Sequence, residues 1–109
     1  MRGMRAIPAV RLLRYQARNT SFWRMVILQA GYKLLGSPEH IDLAIDPIRN
    51  RIRITQGPSY KVHSVQGSSG GVSHYISAVE LKPMPTGLYI YTGENIFTLK
   101  AEPIDGNSE

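Results

Sequence analysis

The chain has 109 residues, 42% of them apolar and 19% charged, which suits one domain with a small core and excludes disorder throughout. It has no cysteine, so disulfides and thiolate metal sites are excluded, and no apolar run approaches the roughly 18 residues of a membrane-spanning helix. The net charge of +5 is unevenly placed: residues 1–38 carry Arg2, Arg5, Arg11, Arg14, Arg18, Arg24 and Lys33 and no acid. A positive field confined to one part of a chain attracts polyanions, and the planar guanidinium fork suits phosphate. Simple solubility, or contact with an acidic protein, is the plainer reading of the same charge. Arg11, Arg14 and Arg18 break any apolar stretch behind the basic start, so no secretory leader is expected. The expected compartment is the cytoplasm, with no membrane partner.

In chain order, residues 1–8 read as a mobile arm ending at Pro8, which lacks an N–H and marks the entry to a strand. Residues 9–15 and 22–28 read as strands joined by a turn at 16–21, making a hairpin with arginines on or beside it. Leu28, Tyr32 and Leu35 have helical spacing, and Gly36 followed by Pro38 stops that helix. Ile41, Leu43 and Ile45 alternate with Asp42 and Ala44. After a turn at Asp46–Asn50, Ile52 and Ile54 alternate with Arg51 and Arg53 in the same way. Residues 56–59 break the chain and 60–65 resume a strand. Residues 66–71, rich in Gly and Ser, form a flexible loop; no P-loop lysine follows them. After a strand at 72–77, Ser77 and Glu80 form a capping box that opens a short helix, ended by Pro83 and Pro85. Strands at 88–91 and 96–100 flank a turn at 92–95, and residues 101–109 fray. The expected buried set is Ile41, Leu43, Ile45, Ile52, Ile54, Leu88, Ile90 and Leu99.

The order strand, short helix, strand, turn, strand runs over residues 25–54 and again over 75–99. Leu88 and Ile90 answer Ile41 and Leu43 at a spacing of 47, and Phe97 and Leu99 answer Ile52 and Ile54 at 45. Chance likeness of two hairpins is the alternative. The expectation is a β-rich α+β fold in a single domain of tandem strand–helix–hairpin units, 9–55 and 60–100, packed face to face. Val26-Ile27-Leu28, the helix to Leu35-Gly36, and the alternating 41–45 and 51–54 resemble the AbrB/MazE-type swapped-hairpin family. Leu28-Gln29-Ala30 stands where that family's helix usually opens with Ile-Pro-Lys. The resemblance implies an AbrB-like pseudo-dimer within one chain, and a cytoplasmic protein that binds DNA or a toxin. Small bacterial and phage proteins show a similar pattern.

No catalytic constellation emerges. His40, His63 and His74 are scattered and have no cysteine partner for zinc. His63 and His74 flank the flexible loop near Lys61, where acid–base cleavage of RNA would be one use and solvent-facing strand positions the plainer one. Tyr89 and Tyr91 share a strand face, as a stacking platform or as packing. No enzyme activity, cofactor or metal is expected. The first expected function is a small DNA-binding regulator or antitoxin-like protein, with Arg11, Arg14, Arg18, Arg24 and Lys33 on phosphates and one or two reaching bases. The second is a protein-binding module, such as a phage-encoded inhibitor or assembly factor, docking a basic face on an acidic protein. The oligomeric state is open.

Overall fold

The computed structural model describes residues 7–67 and 71–100. Alternating apolar and polar residues build nine strands around two short helical turns. These are β1 (Ala9–Ala17), β2 (Thr20–Ile27), α1 (Gln29–Leu34), β3 (His40–Asp46), β4 (Arg51–Gln56), β5 (Tyr60–Lys61), β6 (His63–Gln66), β7 (Val72–Ser77), a 3-10 turn (Val79–Leu81), β8 (Gly87–Gly93) and β9 (Ile96–Leu99). They form one antiparallel sheet in the order β5-β3-β4-β9-β8-β1-β2-β7-β6.

The two outermost strands are neighbours in sequence, separated by Val62 alone. β5 pairs with β3 at one edge of the sheet and β6 pairs with β7 at the other. One bent segment therefore joins the edges, and the sheet curls into a nearly closed barrel, which leaves little unpaired edge. At the bend Val62 N–H donates to the Glu39 carbonyl at 2.8 Å. Val10, Leu12, Met25, Ile27, Ile41, Ile52, Ile54, Ile76, Tyr89 and Phe97 fill the interior, all essentially inaccessible to solvent. α1 follows the end of β2, and the 3-10 turn follows the end of the antiparallel β7, so they lie at opposite ends of that strand pair. Leu35 beside α1, and Leu81 and Met84 at the 3-10 turn, complete the core there.

This architecture replaces the expected β-rich α+β fold of tandem strand–helix–hairpin units, the AbrB-like pseudo-dimer. α1 has six residues and the second helix shrinks to a three-residue 3-10 turn, too little to cover a sheet face. The halves hide their open strands by hydrogen bonding in one sheet, not by stacking faces. β2 pairs with β7 and β4 with β9, while β1 lies between β2 and β8. The capping box is also absent: no side chain caps the 3-10 turn at Ala78, and the Glu80 carboxylate accepts the Tyr60 hydroxyl instead.

Of the expected core, Ile41, Ile52 and Ile54 are fully buried, and Leu43, Ile45 and Leu99 pack half-buried against the cluster. Leu88 and Ile90 take the outward face of β8, because Tyr89, opposite Val10 and Leu99, points in. Tyr89 tolerates this position because its hydroxyl donates to the Pro85 carbonyl at 2.5 Å, and burial pushes the phenol pKa up to about 12. It cannot serve as a stacking platform, and Tyr91 packs edge-on against Phe97. The expected arm at 1–8 and tail at 101–109 fall almost wholly outside the described residues, as do residues 68–70 of the Gly/Ser loop. At the foot of that loop Gly67 N–H donates to the Gly71 carbonyl at 2.7 Å. Among the described residues no helix is long and apolar enough to cross a membrane.

Beside α1, His74 is buried, stacks on Tyr32 with ring centroids 3.7 Å apart, and has Nδ1 at 2.8 Å from Ser64 Oγ. Burial lowers its pKa from the ordinary 6.5. As pH falls below about 6.5 the unfolded chain takes up the proton first, so stability is lost on acidification. Thermal melts should show Tm falling between pH 7 and about pH 5, and His74→Gln should flatten that step. Asp42, held low by the Ser59 hydroxyl and N–H, and Asp46, held low by the Arg49 N–H, act in a separate window below their ordinary 3.8. An unchanged pH 7-to-5 step in His74→Gln would place the titrating group elsewhere.

Candidate nucleic-acid interface

β1 and β2 pair over eight residues, from Val10 opposite Ile27 to Ala17 opposite Thr20. Their outer neighbours are shorter: β8 pairs only with residues 9–12 of β1, and β7 only with 24–27 of β2. Residues 13–23 therefore run past both neighbours as a two-stranded arm. Its two-residue turn holds Arg18 at φ 52, the left-handed conformation that such tight hairpins require. β1 is longer than the sequence suggested, because residues 16 and 17 continue the ladder.

Alternation gives the arm two faces. Arg14 shares one with Trp23, and Gln16 there accepts the Ser21 hydroxyl at 2.9 Å. The other face continues the outer wall of the barrel and carries Arg11, Leu13 and Tyr15 beside Val26, Arg24 and Phe22. The Arg24 guanidinium carbon lies 4.2 Å from the Tyr75 ring centroid, 4.9 Å from Tyr15 and 5.7 Å from Phe22. Cation–π attraction holds it there, and its Nε is sealed from water with no hydrogen-bond partner. Tyr15 stacks on Phe22 at 5.4 Å, and His63 lies tilted against Tyr75 at 5.4 Å. A row of flat groups thus crosses β1, β2, β7 and β6.

The five sequence-predicted cations separate in the structure. Arg11 is exposed on the outer wall, Arg14 on the reverse face of the arm and Arg18 at its tip, while Arg24 is half-buried among rings. Lys33 is on α1, beyond the β2 end remote from Arg18, and does not join them. Among the described residues the one ion pair is Arg49–Asp46 at 3.2 Å, so none of the arm's arginines pairs with a carboxylate among them. Sequence reading missed Phe22 and Tyr75, and considered His63 only for acid–base cleavage or as a solvent-facing strand position. Alternation places Phe22 beside Arg24, but only strand pairing brings Tyr75 and His63 to them.

His63 and His74 do not form a pair. His63 is opposite Tyr75 on the outer face, whereas the next position, Ser64, is opposite His74 on the other side of the strand. No group of three His, Cys, Asp or Glu side chains able to hold a metal occurs among the described residues. A cleft on the β3–β4–β9 wall is lined by Arg51 and Arg53, but also by Asp46. No protein-family model, curated protein or solved structure matches this chain.

Proposed function

We propose that this protein is a non-catalytic DNA-binding protein, of the regulator or antitoxin-like kind, that holds its ligand by the β1–β2 arm. The observation that carries this reading is the projecting arm itself, with Arg14 and Arg18 on it, Arg11 and Arg24 at its base, and no acid anywhere in residues 7–38. A two-stranded ribbon fits a major groove about 12 Å wide, and strands serve as groove readers in several DNA-binding folds. Arg14 and Arg18 contact phosphates directly. Arg24, fixed among rings, contributes mainly to the field.

An acidic protein partner is the second reading. The aromatic cluster around Arg24 favours it, because Tyr and Arg dominate protein hot spots. Titration with random-sequence duplex DNA separates the two. Phosphate contacts should give binding at about 50 mM salt that weakens steeply at higher salt. No detectable binding at that salt leaves the protein partner as the reading.

A further inference from the structure

We propose that the outer face of the arm and the adjoining wall bind single-stranded nucleic acid, with bases stacking on Tyr15, Phe22, Tyr75 and His63 and phosphates held by Arg11 and Arg18. The inference rests on the nucleic-acid reading above and specifies the form of the ligand. Phosphate contacts alone do not require aromatic groups, yet the cations of this face are interleaved with rings. Across four adjacent strands, at about 4.8 Å each, the row extends roughly 14 Å. On other four-stranded sheets such a span takes two or three splayed bases. Tyr15 remains 38% exposed, and His63 is exposed at the other end, so both ends of the row are open to solvent. The Arg24 guanidinium packs over the Tyr75 ring and adds positive charge within the row. No carboxylate is paired to it among the described residues. A duplex keeps its bases stacked inside and could use only the arginines of this face. The bland alternative is a cross-strand ladder that only stabilises the sheet.

The two forms of nucleic acid give opposite predictions. A purely electrostatic site prefers duplex, whose charge density is higher at one charge per roughly 1.7 Å. A stacking site prefers the single strand. Anisotropy titrations would compare an oligothymidylate of about 12 nucleotides, within the usual range for a single-strand site, with a duplex of about 12 base pairs at the same salt. The single strand should bind more tightly. Tyr75→Leu should weaken it about tenfold and change duplex binding by less than about twofold, while Tyr75→Phe binds like the wild type. Photocrosslinking of the wild-type protein to an oligonucleotide containing 5-iodouracil should map to Tyr15, Phe22, Tyr75 or His63. If Tyr75→Leu does not fold, His63→Leu at the exposed end and this crosslinking map decide the matter. Tighter duplex binding with crosslinks elsewhere would overturn the stacking proposal and leave the arm reading standing. Binding of neither form would overturn both.

Discussion

Phe97→Ala should lower the free energy of unfolding by about 3–5 kcal/mol, a large part of the roughly 5–15 kcal/mol available to a domain of this size. Phe97 is fully buried, lies opposite Ile52 on β4 and Tyr91 on β8, and meets the Tyr91 ring edge-on at 5.4 Å. Neighbours on paired strands cannot collapse into the space it leaves, so a cavity cost adds to the lost transfer energy. Ile90→Ala supplies the contrast. The side chain is of similar apolar character, but it faces outward beside Thr98 and Ala9. Half-buried there, it should cost about 1–2 kcal/mol when lost, less than Phe97. Urea denaturation of both variants reads the difference. Equal costs, or a larger one for Ile90→Ala, would mean that β8 is paired one residue out of register, since a one-residue slip exchanges its two faces.

Gly31→Ala should destabilise the protein by about 1–2 kcal/mol, opposite in sign to the ~1 kcal/mol gain that alanine gives in an unconstrained helix. Gly31 is buried where α1 crosses β1, and an added Cβ would lie 2.9 Å from the Ala9 carbonyl oxygen and 3.2 Å from the Ala9 nitrogen. Those are backbone atoms held by the barrel: Ala9 is opposite Ile90, and its carbonyl accepts the Leu28 N–H at 3.1 Å. The helix must therefore lift, and Tyr32 lifts with it from the His74 ring. Thermal denaturation should show the loss, and the pH 7-to-5 step in Tm should shrink as His74 gains solvent. A rise in Tm would show that α1 does not rest on β1.

Much of the local structure was legible because each signal is carried by residues close in sequence. Asp46 accepts the N–H groups of Ile48 and Arg49, and Asn50 adopts φ 54, so the Asp46–Asn50 turn forms from its own side chains. Gly36 at φ 89 ends α1 where its position suggested, and the Tyr32 hydroxyl donates to the Pro38 carbonyl just beyond. Ile52 and Ile54 faced inward as their alternation indicated. The closure of the barrel was not legible. It depends on a bend at Val62 that lets one segment pair with β3 and then with β7, where Tyr60 is opposite Ile41 and His63 is opposite Tyr75, 34 residues further along the chain. The phase of β8 was missed for a related reason. Leu, Tyr, Ile and Tyr alternate without a clear polar face, so the choice is made by the pairing of Tyr89 with Val10 and by the bulge between Tyr91 and Gly93. Of the candidate site, the cations were visible in composition. Their grouping was not, because the extent of the arm depends on where β8 and β7 stop pairing.

The salt dependence of DNA binding by the wild-type protein and by the Arg14→Ala, Arg18→Ala double variant tests the central claim most directly. Each phosphate contact contributes about 0.9 to the slope of log affinity against log salt on duplex DNA. The double variant should therefore lose roughly 1.8 from that slope and bind more weakly on every sequence tested, while Lys33→Ala, remote from the arm, changes neither. An unchanged slope in the double variant, or a slope that falls only with Lys33→Ala, would contradict DNA binding by the arm.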